Sequence, residues 1–195
     1  MEKLLGIASL VFMLMAIAPS TFGQAEKNEE FDFWLGEWNV YKFGTDTLVG
    51  TSSITSIMDG YAIREEYKAA GSNYSGTSLN KFNLANQKWE QYYVDNGGLT
   101  LHLKGTLDND IMILENKIKR DKKTVYNKIT WQMDDDGNVR QTWHQKVKDS
   151  EDSKQNKDQL KLDKASTKPA KKDAAQKISW KVIFDGIYKP IKVKE

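Results

Sequence analysis

Apolar and polar residues alternate along most of the chain from Phe31 to Lys148, in short runs rich in Val, Ile, Thr, Tyr and Trp. A period of two is typical of a β-strand that buries one face, and these residue types favour strands. We therefore predict about ten strands. Their expected bounds are Gly36–Phe43, Leu48–Met58, Tyr61–Ala69, Tyr74–Asn83, Lys88–Asp95, Leu99–Thr106, Asp110–Lys119, Thr124–Met133, Asn138–Lys148 and Lys177–Phe184.

The segments between these runs contain the residues of tight turns. Asp59-Gly60, Asn96-Gly97-Gly98 and the Asp134–Gly137 segment all tolerate the positive φ that hairpins need. Parallel strands need a crossover of about a dozen residues or more, so these short links indicate antiparallel neighbours. The sequence predicts one all-β domain, an up-and-down antiparallel barrel of about ten strands. A two-sheet sandwich is the alternative that the pattern leaves open.

Two polar residues fall on the apolar side of their predicted strands. Glu65 shares a face with Ile63 and Tyr67, and Asn127 shares a face with Ile129. A buried carboxylate is costly unless it is paired, which makes Glu65 the most unusual placement in the chain. It is either an acid or ligand anchor, or a structural group near a barrel mouth that pairs with an Arg or a Tyr.

The N-terminal segment has the layout of a secretory signal peptide. Lys3 precedes an apolar run from Leu4 to Ala18, and small residues follow it. The run is shorter than the ~20 residues of a membrane-spanning helix, although an anchor is the alternative. We expect residues 1–23 to be removed. Residues 24–195 then form an exported domain, periplasmic or extracellular, with no integral membrane segment and no Cys for lipid attachment.

A charged segment from Asp149 to Gln176 separates the last two predicted strands. It has no aromatic residue, and Leu160 and Leu162 are its large apolar groups. Such a composition does not bury enough surface to offset the entropy of ordering, so we predict a disordered insertion. The chain's formal net charge is +2 and the signs alternate within the segment. We therefore expect no nucleic-acid partner.

The sequence contains no recognisable catalytic signature. Without Cys there is no thiol nucleophile and no thiolate metal site, and no nucleophile elbow or phosphate-binding glycine loop is present. The two histidines, His102 and His144, fall on the polar sides of their strands and are too few for a His-rich zinc site. We therefore expect neither a metal nor a cofactor.

The segment F-D-F-W-L-G-E-W, residues Phe31–Trp38, places a G-x-W motif at the start of the first strand. This motif resembles the opening signature of the lipocalin and calycin superfamily. The resemblance implies that Gly36 and Trp38 close one end of the barrel. It also implies that Trp38 packs against an arginine of another strand, for which Arg140 and Arg64 are the candidates.

A wider pattern resembles a family of exported bacterial proteins of unknown function. It comprises Met58–Tyr61, Gly76–Asn83, Lys88–Asp95, Val139–Gln141 and Phe184–Tyr188. The resemblance implies a lipocalin-like barrel and no established activity. A more distant likeness is to the haem-binding nitrobindins, whose iron ligand is a histidine of a late strand. The last predicted strand here has no His, so we expect no haem.

The leading functional hypothesis is an exported module that holds a small, partly apolar ligand inside the barrel. Ligand pockets are largely apolar, with a few placed polar groups. The expected pocket residues are Trp89, Tyr93, Leu101, Leu103, Trp131, Trp143 and Trp180, with Asn127 and Glu65 as the polar groups.

Two alternatives belong to other functional classes. One is an enzyme that acts on a small exported substrate through carboxylates, for which Glu65, Glu66, Glu90 and Asp95 are available. The other is an interaction or structural protein of the cell envelope that uses its exposed sheet and the charged insertion.

Overall fold

The computed structural model describes residues 27–121, 123–149 and 179–191. The predicted signal peptide and all but the first residue of the predicted insertion lie outside the described residues. Two short 3-10 helices, Asp32–Trp34 and Met58–Gly60, accompany ten strands. The strands are β1 Gly36–Lys42, β2 Leu48–Ile57, β3 Ala62–Ala69, β4 Ser75–Asn83, β5 Lys88–Asp95, β6 Thr100–Asp108, β7 Ile111–Arg120, β8 Lys123–Met133, β9 Val139–Asp149 and β10 Lys181–Pro190.

The ten strands form one closed antiparallel barrel. Each strand pairs with its neighbours along the chain, and β10 pairs with β1 to close the ring. At this seam Trp38 lies opposite Pro190 and Val40 lies opposite Tyr188. The predicted up-and-down barrel is confirmed, and the sandwich alternative is wrong.

The predicted strand bounds agree with the structure to within about two residues, except for β10. The predicted strand ended at Phe184, before Asp185-Gly186, but β10 continues to Pro190. Gly186 pairs with Lys42 of β1 and with Gln141 of β9, so it lies within the sheet and forms no turn. A Cβ at Gly186 would be 2.5 Å from the Phe184 ring, so the glycine makes room for that ring.

The predicted inward face of Trp180 is wrong. The register of β10 against β9 shifts between Val182 and Phe184. This bulge adds one residue, so the side chains before it point to the opposite face from those expected by simple alternation. The Trp180 ring is 42% exposed, and Lys146 on the outer surface places its Nζ 4.5 Å from the ring centroid.

Aromatic side chains fill the barrel end from which β1 starts. Phe31 and Trp34, in the segment that precedes β1, are fully buried and stack with their ring centroids 5.2 Å apart. Trp131 packs within 5.5 Å of both rings, and Trp89 lies 5.6 Å from Phe31. We call this group the aromatic plug: Phe31, Trp34, Trp89 and Trp131. Any internal space therefore lies in the opposite half of the barrel.

The G-x-W motif connects the aromatic plug to strand β1. Gly36 lies beside the Trp38 indole, and the Trp38 Nε1 donates a hydrogen bond to the backbone oxygen of Trp34 at 3.0 Å. Arg140 is not the partner of Trp38. It lies on the outer face, where it binds both carboxylate oxygens of Asp185 at 2.8 and 2.9 Å and covers the Phe43 ring at 3.5 Å.

The other candidate arginine does not reach Trp38 either. Arg64 is on the outer face of β3 and pairs with Glu66 at 3.2 Å. Trp38 and Gly36 lie at this barrel end, and neither candidate arginine contacts Trp38.

We expect Trp34→Ala to destabilise the protein by about 3–5 kcal/mol, because it removes a fully buried indole and leaves a cavity in the plug. Trp180→Ala is the matched control. It removes an exposed indole and one cation–π contact, so its cost should stay below about 1 kcal/mol. Urea unfolding followed by circular dichroism measures both. Equal costs for the two variants would contradict the assignment of the plug.

Candidate functional site

A cavity of about 260 Å³ occupies the barrel half opposite the aromatic plug. Tyr74 and Ile183 are exposed at its mouth, so the cavity communicates with solvent. Most of its lining is aromatic or aliphatic, and Glu65 is its acidic residue. The lining consists of Glu65, Tyr67, Tyr74, Gln91, Tyr93, Leu101, Ile129, Gln141, Trp143, Ile183, Phe184 and Tyr188.

Glu65 points into the barrel because it occupies an inward position of β3, opposite Ile54 of β2 and Ser78 of β4. Small inward residues, Ser52 on β2 and Ser78 on β4, leave room for its side chain. The Ser78 Oγ donates a hydrogen bond to the Glu65 Oε2 at 2.8 Å. The residue is only 4% exposed.

Burial raises the pKa of Glu65 from 4.5 to about 7, because the charged form loses its hydration. The hydroxyls of Ser78 and Ser52 offset this pKa shift in part. Among the described residues, no Lys, Arg or His lies within ion-pair distance of the carboxyl, and none lines the cavity. Glu65 is thus a buried acid without a cationic partner in the described part of the chain.

A chain of buried amides holds the Glu65–Ser78 pair in place. The Asn80 Nδ2 donates to the Ser78 Oγ at 3.0 Å, and the Gln91 Nε2 donates to the Asn80 Oδ1 at 2.9 Å. All four residues are buried. Because Ser78 accepts from Asn80, its own hydroxyl hydrogen is directed at Glu65.

Tyrosines form a large part of the cavity wall, and their hydroxyl hydrogens are already used within the protein. The Tyr67 hydroxyl donates to the backbone oxygen of Val49, and the Tyr74 hydroxyl donates to Asp95 at 2.8 Å. The Tyr93 hydroxyl lies 2.8 Å from the Tyr74 oxygen, to which it therefore donates. Burial raises the pKa of Tyr93, so its phenol stays neutral at physiological pH.

Trp143 forms the facing wall, and Asn127 fixes its orientation. The Trp143 Nε1 donates to the Asn127 Oδ1 at 3.0 Å, and the Gln145 Nε2 donates to the same oxygen at 3.1 Å. The Asn127 Nδ2 donates in turn to the Asn116 Oδ1 at 2.8 Å. Asn127 is thus buried, as its register predicted, but it positions an indole and does not itself line the cavity.

The structure brings together four of the residues expected to bind a ligand: Glu65, Tyr93, Leu101 and Trp143 all line the cavity. Trp89, Leu103 and Trp131 face inward but belong to the packed core. Trp180 lies outside the barrel. Alternation therefore predicted which side of the sheet a residue faces, but not its depth along the barrel axis.

Several lining residues were not among the predicted set. Tyr67 and Gln91 each lie two residues from a predicted member, Glu65 and Tyr93, so a full reading of the alternation would have found them. Ile183 and Phe184 enter the lining together because of the bulge in β10. A strand of simple alternation does not place two consecutive side chains on one cavity, so sequence carried no signal for this pair.

The other candidate carboxylates lie elsewhere. Glu66 is on the outer face with Arg64. Asp95 organises the β5–β6 turn, where its Oδ1 accepts backbone hydrogen bonds from Gly97 and Leu99, both at 2.9 Å. Glycoside-type chemistry needs two carboxyls about 5–10 Å apart in one site, and among the described residues the cavity lining supplies a single one, that of Glu65.

Glu90 forms a separate polar cluster on the outer face of β5. Its carboxylate contacts the Lys104 Nζ at 2.9 Å and the His102 Nε2 at 2.8 Å. The amides of Asn83 and Asn86 also donate to it. Hydrogen bonding from Lys104 is the main reason that the pKa of Glu90 lies well below its usual range. These partners surround the Glu90 carboxylate, so it is not open to a ligand.

In residues 27–121, 123–149 and 179–191, no three His, Asp or Glu side chains are grouped so as to hold a metal ion. No helix in the same ranges is long and apolar enough to cross a membrane.

Comparison with protein-family models finds no family that matches the chain. Comparison with curated proteins likewise finds no significant match. The lipocalin and calycin resemblance of the G-x-W motif therefore stays a prediction, and the function has to be argued from the cavity itself.

Glu65→Gln should stabilise the protein in a pH-dependent manner. The pKa of Glu65 is about 7 when folded and 4.5 when unfolded, so the folded state holds an extra proton between these values. Wild-type stability therefore falls as pH rises through this window, by about 3 kcal/mol in total. We expect the variant to be more stable by up to that amount at about pH 8 and to show little difference at about pH 4.

Urea unfolding at the two pH values measures this effect. Glu66→Gln is the matched control, because the neighbouring carboxylate is 54% exposed on the outer face. A stability difference for Glu65→Gln that does not change with pH would contradict the assignment of Glu65 as a buried acid.

Proposed function

We propose that this protein is an exported binding module that holds a small, partly apolar molecule inside its barrel. The observation that carries the proposal is the division of the interior into two halves. Aromatic residues pack one half, whereas the other half retains a cavity of about 260 Å³ with Tyr74 and Ile183 exposed at its mouth. A barrel that needed only stability would fill both halves.

The cavity has the composition of a ligand site. Its wall consists mainly of Tyr, Trp, Phe, Leu and Ile side chains, and one carboxyl and two amides supply the polar contacts. Pockets for small molecules are largely apolar and use a few fixed polar groups to orient the ligand. Both the Glu65 carboxyl and the Trp143 indole are fixed by hydrogen bonds before any ligand arrives. This preorganisation lowers the entropic cost of binding.

The volume limits the size of the ligand. A cavity of about 150 Å³ accommodates benzene. The present cavity of about 260 Å³ therefore suits a molecule with one ring and a short side chain, or two fused rings. Larger lipids and tetrapyrroles exceed it.

Two sequence features support the exported location in this proposal. The run from Leu4 to Ala18 has the layout of a signal peptide, and the G-x-W motif at Gly36 and Trp38 resembles the opening of lipocalin-type carriers.

The proposal is tested by titrating the purified protein with the neutral fluorophore 2-naphthol, whose two fused rings match the size of the cavity. Ile183→Trp should weaken binding at least about tenfold, because the larger side chain obstructs the cavity mouth. Val182→Trp is the matched control, since Val182 is the preceding residue but is 52% exposed outside the barrel. Its affinity should stay within about twofold of the wild type.

Native mass spectrometry of the protein purified from its own envelope provides the second readout. A retained small molecule that is lost in Ile183→Trp and kept in Val182→Trp supports the proposal. Absence of fluorophore binding, or equal binding by the two variants, would contradict it.

A further inference from the structure

The charge balance of the cavity indicates which class of ligand it accepts. Glu65 and Glu90 are both nearly inaccessible to solvent, at 4% and 5% exposure. Glu90 is surrounded by Lys104, His102 and several neutral donors. Glu65 receives hydroxyl contacts and, among the described residues, no cation. The protein therefore surrounds the carboxylate on its outer face with cationic and neutral donors, and among the described residues it places no cation beside the carboxylate in its cavity.

The remaining wall favours a positive ligand for an independent reason. The Tyr67, Tyr74 and Tyr188 hydroxyls donate to acceptors within the protein, so their oxygens can only accept further hydrogen bonds. The faces of aromatic rings carry negative electrostatic potential and attract ammonium groups, most strongly where water is excluded. Tyrosine, tryptophan and phenylalanine rings surround the same space as the carboxyl.

We propose that the cavity binds an organic ammonium ion, with its charged nitrogen on the Glu65 carboxylate and its apolar part against the aromatic wall. The inference rests on the proposed function and names its ligand class. The ligand supplies the counter-charge that the described residues lack. An anionic ligand would instead place a second negative charge beside Glu65, which is strongly unfavourable in a low-dielectric site.

The affinity for such a ligand should depend on pH. The groups that face Glu65 are the hydroxyls of Ser52 and Ser78, the Gln91 amide and four phenols of the cavity wall, Tyr67, Tyr74, Tyr93 and Tyr188. The serines and the amide do not titrate, and burial raises the pKa of each of these phenols.

Glu65 is therefore the group of this set that titrates near neutrality, with a pKa of about 7. Its charged fraction rises from about one tenth at about pH 6 to about nine tenths at about pH 8, so the ammonium affinity should rise about tenfold.

Three probes of similar shape and different charge test the proposal: phenethylamine, phenethyl alcohol and phenylacetate. Isothermal titration calorimetry at about pH 8 should show the amine binding at least about tenfold more tightly than the alcohol, and no measurable binding of the acid. Between about pH 6 and about pH 8 the amine affinity should change about tenfold and the alcohol affinity should not.

Glu65→Gln should lower the amine affinity at least about tenfold, remove its pH dependence and abolish the preference for the amine over the alcohol. Glu66→Gln is the matched control, since its side chain is adjacent in sequence but faces outward. It should leave all three affinities unchanged.

The outcomes separate this inference from the function on which it rests. If 2-naphthol binding depends on Ile183 but the amine binds no better than the alcohol, the ammonium proposal is wrong and the binding module stands. The same conclusion follows if Glu65→Gln leaves the amine affinity unchanged. If neither the fluorophore nor any of the three probes binds, the proposed function itself is wrong.

Discussion

The pairing of β1 with β10 closes the barrel and separates its interior from solvent. The buried core and the cavity both depend on this closure. Backbone hydrogen bonds between the first and last strands leave no open sheet edge, and the chain has no cysteine to reinforce the ring. On the outer surface, Arg140 and Asp185 join β9 to β10 beside the seam. Because the barrel is closed, a side chain that points inward from the middle of a strand is removed from bulk water. Glu65 is a buried acid for this reason and not because of its local sequence.

One half of the barrel interior stabilises the fold, and the other half contains the proposed binding cavity. The plug residues Phe31 and Trp34 bury large aromatic surfaces at one end, where hydrophobic burial and ring packing provide stability. The other half keeps space and carries a charge that costs stability when it is ionised. Tyr188 connects the halves: its ring packs against Trp34 and its hydroxyl donates to Gln141 at the cavity. A destabilising group in the cavity is tolerated because the aromatic burial in the plug contributes stability that offsets its cost.

The sequence predicted the architecture closely because alternation and turn residues are local signals. Short links such as Asp59-Gly60 leave antiparallel pairing as the solution for successive strands, whereas the choice between a closed barrel and a sandwich depended on the long-range pairing of β1 with β10. The same local signals identified Glu65 and Asn127 as inward polar residues, and the structure buries both.

The cavity itself was only partly predictable. Alternation assigns a face but not a depth, so Trp89 and Trp131 were grouped with Trp143 although the N-terminal segment packs against the first two. That contact joins residues far apart in sequence and has no local signature. The bulge in β10 is a second nonlocal feature, since it depends on pairing with β9, and it moved Trp180 to the outside and brought Ile183 and Phe184 to the cavity.

The central claim is that the barrel buries the Glu65 carboxyl in an aromatic cavity and that the described part of the chain places no cation beside it. The most direct measurement is the pH titration of the Glu65 side-chain carboxyl carbon by NMR in the purified, ligand-free protein. The account predicts a midpoint of about 7, against 4.5 for an ordinary glutamate. A midpoint at or below the ordinary value would mean that the carboxyl is hydrated or already paired with a cation, and it would contradict the account.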